Sequence, residues 1–515
     1  MRLSTKHPSQ QQVEFYDFTG GLNTATTEEQ IAENQLAKCI NFEVQTITGL
    51  LKTVDGTKRK YRIPAHSDYK ITSAAYDALN KHIILFADNG TVFSSKLSSN
   101  FGKVVQIGRL SGCLKPITTV WEDGLITASG GMLQYIAGYQ MKTISTSPKS
   151  CNGCYVRSGR VLVFEDEMIR YSGIGDEENW TENSNDPSAS VFVEAGYKAG
   201  GKIIGMVNMS SDILIIKDNG MLFRLAGEFP DWQIHEVARN VECKSRNAYC
   251  NVLNNTFILG TRRLQAITTT DEYGSMKPAD IAQNVRRELG KLGESVSVRY
   301  VAPLNQLWIL DGTENVLLYD LNVQGFFKRL FNAAVTDVLA IDEDVYVIKE
   351  DGVDVLDEFS YTDEGKPLEY DLQMKTHISH YNYLLKRIVL ACTGFADSGT
   401  TAALHIGRSI KVPIPVQYIA GLDSLVYGNT NFVYFNNDYV FNTELRRVVY
   451  SNQDDYLVYG NIEYVYDNEQ YVLDYDSYVI SDKRIRYRDK SIRIKLYGNG
   501  CKFILNKIKL DVVEV

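Results

Sequence analysis

One short phrase, a β-branched run, a tight turn and a second apolar run, occurs seven times between residues 82 and 358. The clearest copies are HIILFADNGTVFSSK (82–96), DILIIKDNGMLFRLA (212–226), QLWILDGTENVLLYD (306–320) and DVYVIKEDGVDVLDE (344–358). Weaker ones stand at GLITASGGMLQYIAG (124–138), RVLVFEDEMIRYSG (160–173) and TFILGTRRLQAITT (256–269). A period of about 40–50 residues with a hairpin in each unit is the signature of small sheets arranged radially, because a lone hairpin is marginal and must stack on neighbours to bury both faces. The same hairpins could build a β-sandwich, but sandwiches seldom repeat one phrase so often, so a β-propeller is the expected architecture. In each copy the Asp/Asn-Gly pair is expected to supply the positive φ angles of a two-residue hairpin turn.

The fold class is therefore all-β: a propeller-like repeat domain, a short N-terminal helix-hairpin preface and a C-terminal β-sandwich-like domain. The preface (1–65) contains VEFYDFTGGLNTATTEEQIAENQLAKCINFEV (13–44), read as a strand, a Gly20-Gly21 turn and a short helix with a capping box at Thr26 and Glu29. TGLLKTVDGTKRK (48–60) follows as a hairpin turning at Asp55-Gly56. The repeats fill 66–360 and carry two insertions. One is a polar, Gly-rich surface loop (173–201); the other, PADIAQNVRRELGKL (278–292), predicts an amphipathic helix with Pro278 in its first turn and Ile281, Val285 and Leu289 on one face. Beyond YTDEGKPLEY (361–370) the period vanishes. LKRIVLAC (385–392), RIRYRDKSIRIKL (484–496) and KFILNKIKLDVVEV (502–515) predict strands of a third region, 361–515, serving as sandwich or tip. Between 427 and 487 tyrosines alternate with Asn and Asp, a composition suited equally to a subunit interface and to sandwich packing.

With 515 residues, 44% of them apolar, the chain can bury a large core, and its net charge of -9 argues against a surface that grips nucleic acid through a basic field. No apolar run approaches the roughly 18 residues of a membrane span, and MRLSTKHPSQQQ has no secretory core, so synthesis in a cytoplasm is expected. Eight cysteines are too sparse for a disulfide framework. Cys151 and Cys154 form a lone C-x-x-C, and Cys243 and Cys250 are irregularly spaced as further zinc ligands.

The remaining chemical motifs read as structural. GYKAGGK (196–202) has phosphate-loop spacing, but Ile203 replaces the magnesium-binding hydroxyl and a strand follows where a helix is needed. His377 and His380 lie three apart on a strand and face opposite ways, while His82, His235 and His405 occur singly. Asp166, Glu167, Asp176, Glu177 and Glu178 read as solvated turn acids, with a propeller glycosidase or depolymerase acting on host surface glycan as the alternative if two of them converge. No catalytic, cofactor-binding or metal residue is assigned. KRIRYRDKSIRIK (483–495) alternates basic with apolar residues, placing Arg484, Arg486 and Arg488 on one strand face, a ribbon suited to acidic neighbours across a subunit contact.

FTGGLNT (18–24), QIAENQLAKCINFEV (30–44), GLLKTVDGTKR (49–59), RYSGIGDEENWTE (170–182), YDLNVQGFFKR (319–329) and LEYDLQMKTHISHYNYLLKRIVLACTG (368–394), in that order, resemble the tail hub and nozzle proteins of short-tailed bacteriophages, also described as packaged-DNA-stabilisation proteins. The resemblance implies a structural, non-enzymatic virion protein without cofactor. It implies a homohexameric ring that extends the portal channel, retains packaged DNA and conducts it during ejection. Its implied partners are portal and adaptor proteins above, tail fibre or needle proteins beside or below, and double-stranded DNA in passage. Acidic walls would let that DNA slide.

Overall fold

In a computed structural model, six four-stranded antiparallel sheets and the first three strands of a seventh sheet follow one another along the chain, with ranges 71–109, 117–143, 153–194, 203–238, 249–280, 297–330 and 335–357, here blades 1 to 7. The structure describes residues 10–514 apart from 46–47, 66, 99–100, 184, 187, 210–211, 228–231, 270–275, 398–401, 420–438, 443–446 and 451–477. Most of the Tyr/Asn-rich stretch thus lies outside the described residues.

Every repeated phrase is the second and third strand of a blade, as in His82–Ala87 with Thr91–Lys96 and Asp212–Lys217 with Leu222–Ala226. Second strands are flanked by strands on both edges and by neighbouring blades on both faces, which is why His82–Ala87 and Asp212–Lys217 are buried throughout and read as unbroken apolar runs. First strands adjoin one another around an axis and fourth strands are the most exposed. The junctions from blade 7 through blade 1 round to blade 5 each have their own apolar core, while blades 5, 6 and 7 share one. Phe86 of blade 1 packs with Leu125 and Ile136 of blade 2, and Ile83 and Leu85 pack with Ile348 and Val353 of blade 7, so the ring is closed.

The turns within the phrases differ from the two-residue form expected. Ala87 ends one strand where Thr91 begins the next, and Lys217 N–H donates to Met221 O, leaving three-residue loops, 88–90 and 218–220, in which only the last residue, Gly90 (φ +81°) or Gly220 (φ +79°), is left-handed. That is a type I turn closed by a left-handed glycine, the other common hairpin solution for an Asp-Asn-Gly sequence.

Asp55-Gly56 is not a hairpin turn either. Leu51–Thr53 pairs with Phe42–Val44 and with the C-terminal strand Cys501–Glu514, whereas Gly56–Arg62 crosses to blade 7 and supplies its fourth strand beside Gly352–Asp357. Gly56 is required there by crowding: a Cβ would lie 2.4 Å from the Thr362 carbonyl oxygen. The last blade is thus closed by a strand from the front of the chain.

The residues before and after the ring fold together. A seven-stranded sheet contains Gln10–Phe15, Phe42–Val44, Leu51–Thr53, His377–Asp397, Gln417–Ile419, Tyr478–Ile492 and Cys501–Glu514. A six-stranded sheet contains Gly21–Leu22, Gln35–Ile40, Glu369–Met374, Ala403–Ile406, Ile410–Pro413 and Ile494–Asn499. Phe42, Tyr370, Leu404, Leu496 and Phe503 from both sheets share one core that continues into blades 5 to 7.

Two helix expectations fail. Residues 26–34 form turns, because Ala25 donates to the Asn284 carbonyl and the Gln35 side chain accepts from Ala32 N–H and Asn23 Nδ2, bonds that compete with a helical ladder. In the second insertion Pro278 pairs with Ile267 inside the strand Met276–Asp280, and only Gln283–Val285 and Arg286–Leu289 are helical. Val285 and Leu289 are nevertheless fully buried, so the apolar spacing marked contact with the core rather than helix length.

Candidate functional site: the mouth of the central channel

The linkers that enter blades 2, 3 and 5 bring Lys115, Asn152 and Arg246 to one end of the axis, where the first strands of blades 6 and 7 begin at Ser297 and Val335. Lys115 reaches across to the far side of the ring: its Nζ donates to Thr336 O at 3.0 Å and lies 3.4 Å from Ser297 Oγ. Arg246 spans in the other sense, its Nη1 donating to Lys115 O at 3.3 Å and its Nη2 to Asn152 O. Arg299 on the first strand of blade 6 forms a two-pronged pair with Asp337 on blade 7, Nε to Oδ1 at 2.8 Å and Nη2 to Oδ2 at 3.3 Å. The mouth is therefore bridged by side chains.

Desolvation shapes the charges here. Burial pulls Lys115 and Arg246 below their ordinary values, whereas burial of Asp337 is outweighed by Arg299 and Lys115, which hold its carboxyl below the usual range. Burial also pushes the thiol of Cys154 and that of Cys243 up to about 12, so these cysteines are inert neighbours. Deeper in, the Tyr249 ring occupies space that Gly205 leaves open; a Cβ on Gly205 would approach the ring to 2.2 Å. Gly205→Ala should therefore lower stability by about 1–3 kcal/mol through overpacking, read as a lower urea midpoint at unchanged m-value.

The residues singled out in the sequence are dispersed. Lys202 of the phosphate-loop lookalike pairs with Asp166 at 2.8 Å, and the segment leads into the strand Ile203–Met209 as expected. His377 Nε2 lies 3.5 Å from Glu33 and its ring meets Phe15 edge-on; the side chain of His380 is outside the described residues. His82 bonds Ser94 Oγ at 2.8 Å, His405 stacks on Tyr497, and His235 is exposed on the fourth strand of blade 4.

Among the loop acids, Glu177 bonds Trp121 Nε1 at 3.2 Å and Lys142 at 3.2 Å, Glu178 also pairs with Lys142, and Asp176 Oδ1 accepts from the Glu178 N–H. Burial alone would raise the Glu177 carboxyl, but the backbone, Trp121 and Lys142 together hold it below its ordinary value, the opposite of a proton donor's tuning. Glu177→Gln should cost no more than about 1 kcal/mol, because it removes one half-exposed ion pair and keeps the packing, measurable as a small shift in urea midpoint.

Three carboxylates, Asp354, Asp363 and Glu364, do lie close enough to share a cation. That cation is a lysine: Lys349 Nζ sits 2.7, 2.6 and 3.1 Å from them, with Arg59 Nε 2.5 Å from Asp354. The cluster joins the N-terminal strand Gly56–Arg62 to blade 7. Sequence reading missed it and the channel mouth alike, since its members are scattered over 300 positions and no local pattern marks them.

No protein-family model matches the sequence, and no curated protein does. Among solved structures the chain is similar to the WD40 β-propeller domain of Doa1 (10% identity, TM-score 0.41, covering 59% of this chain and 97% of that one). It is also similar to BamB from Moraxella catarrhalis (11%, 0.38, 69% and 98%) and to the computationally designed Ika8 protein (11%, 0.36, 58% and 99%). The blade count above rests on the strand pairing of this chain.

Proposed function

We propose that this protein is a structural subunit of a short-tailed bacteriophage tail, assembled in the host cytoplasm, whose copies close into a hexameric hub or nozzle ring that retains and conducts DNA. The observation that carries the reading is an assembly edge. The strand Tyr478–Ile492 is 15 residues long and pairs, among the described residues, only with His377–Asp397. Arg484, Arg486 and Arg488 are exposed along it at alternate positions. A monomer ordinarily shortens or covers such an edge, whereas a ring subunit presents it to the next copy, and a basic row suits a protein whose net charge is -9.

The ordered phrases of the N-terminal and loop segments support the phage assignment. In this reading the two-sheet unit is a sandwich-like platform for portal and adaptor proteins, with fibre or needle proteins beside or below. The DNA path is the lumen enclosed by the subunits, since Lys115 and Arg246 bridge each propeller's own axis. Electron microscopy of phage particles labelled against this chain tests the assignment. Label at the tail is expected; a chain absent from particles would refute it.

A further inference from the structure

Across the seven-stranded sheet, Gln10–Phe15 pairs with Cys501–Glu514, which pairs on its far side with His377–Asp397, which pairs in turn with Tyr478–Ile492. Among the described residues the first and last of these strands have no further partner. All three pairings are antiparallel, so Gln10–Phe15 and Tyr478–Ile492 run in opposite directions at opposite edges. A second copy set beside the first in the same orientation therefore brings its Gln10–Phe15 against Tyr478–Ile492 as one more antiparallel neighbour. That contact is head-to-tail, the kind from which a cyclic ring is made.

Side chains at the two edges match in one register. Val13 at one edge and Ile485 and Tyr487 at the other are half-buried against the core that both sheets share. On the opposite face, Gln12, Asp511, Arg387 and Arg484 stand in one row across the sheet, and Glu14, Lys509, Val389 and Asp482 in the next. Continuing these rows straight into a second copy would set its Glu14 against Asp482, a destabilising like-charge pair. A stagger of two residues sets Glu14 opposite Arg484, Gln12 opposite Arg486 and Val13 opposite Ile485, so apolar meets apolar and the acid meets the basic row. A one-residue slip would turn every side chain to the wrong face. Within its own chain Glu14 is flanked by Lys507 at 3.0 Å and Lys509 at 3.5 Å, and the arginine edge of another copy would flank it on the side away from them.

We infer that Gln10–Phe15 of one copy adds as a strand to the edge of Tyr478–Ile492 of the next, in the register that sets Glu14 opposite Arg484. The inference rests on the assembly reading above and names the surface that receives the basic row.

The test is oxidative cross-linking of the full chain in a Cys113→Ser background, which removes the exposed native thiol, with assembly followed by light scattering. Within one chain two intervening strands hold these edges about 14 Å apart, past the reach of a disulfide, so a link between them joins different copies. Gln12 and Arg486 are exposed, so replacing them leaves the core intact. Gln12→Cys with Arg486→Cys should give disulfide-linked chains up to the size of the ring, because directly opposite antiparallel residues lie about 4.5–5.5 Å apart. Gln12→Cys with Arg484→Cys, the unstaggered pairing, should link roughly tenfold less, its partners being diagonal neighbours about 7 Å apart. Each single variant should stay unlinked. A ring that assembles but links in neither pair would overturn the strand addition and leave the assembly reading standing. Linked dimers from Arg486→Cys alone would overturn it in favour of two such edges paired with each other, and a monomer under all conditions would overturn both readings.

Discussion

Lys349→Met is expected to lower stability by about 3–5 kcal/mol near neutral pH, since it strands Asp354, Asp363 and Glu364 without the ammonium that lies among them. Lys349, Asp354 and Asp363 are almost wholly buried, and Thr57, Asn332 N–H and Arg59 complete the network. The pH dependence follows from the carboxyls. In the parent, burial of Asp363 is outweighed by Lys349, Thr57 and the Asn332 amide, so its carboxyl sits below the ordinary value. A depressed folded-state value contributes stability that is present above about pH 4 and lost as pH falls through it. Burial pushes Asp354 the other way, up, despite Lys349, so its contribution is fullest at low pH and declines as pH rises through its folded value. Without Lys349 both carboxyls are governed by burial and rise. The variant's deficit should therefore shrink between about pH 8 and pH 5 in urea titrations, as protonation relieves the buried charge. A deficit constant across that range would mean the cluster is not the electrostatic clasp of blade 7.

Phe42→Ala should cost a similar 3–5 kcal/mol or so, although Phe42 lies in a segment that composition alone would place outside both domains. Its ring is fully buried, 5.5 Å from Tyr370 and 6.0 Å from Phe503, residues drawn from opposite sides of a long stretch of chain. Removing the ring leaves a cavity where three remote segments meet, so the loss includes both transfer and cavity terms. Urea unfolding followed by intrinsic fluorescence gives the measurement. A change below about 1 kcal/mol would indicate that the front of the chain merely rests on the fold.

These two sites show where the amino-acid pattern speaks and where it is silent. Second and third blade strands announce themselves because burial on both faces selects Ile, Val, Leu and Phe in unbroken runs, as in His82–Ala87. First strands such as Ile117–Trp121 line a channel and mix Thr with apolar residues, and fourth strands such as Gln140–Thr143 face solvent, so neither carries a signal. Asp55-Gly56 misled because glycine serves crowding as well as turning, and only the packed neighbour at Thr362 distinguishes the two. Ile281, Val285 and Leu289 kept their inward side while the helix around them shortened, since Pro278 was needed in a blade strand. The channel mouth was illegible for a different reason. Lys115, Arg246 and Arg299 meet only because seven blades close a circle, a property of the whole chain and of no window within it.

The exposed basic row was partly visible beforehand. Alternating Arg484, Arg486 and Arg488 requires a strand with one exposed face, and that face is found. What could not be read was that this strand ends a sheet that also holds Gln10–Phe15 and Cys501–Glu514.

The mass of the purified protein in solution, measured by light scattering across a concentration series, bears most directly on the claim that this 58.1 kDa chain is built to assemble. A discrete closed oligomer of about six chains is expected, dissociating when Arg484, Arg486 and Arg488 are changed together to Glu. A monomer at every concentration, indifferent to those charges, would contradict the account.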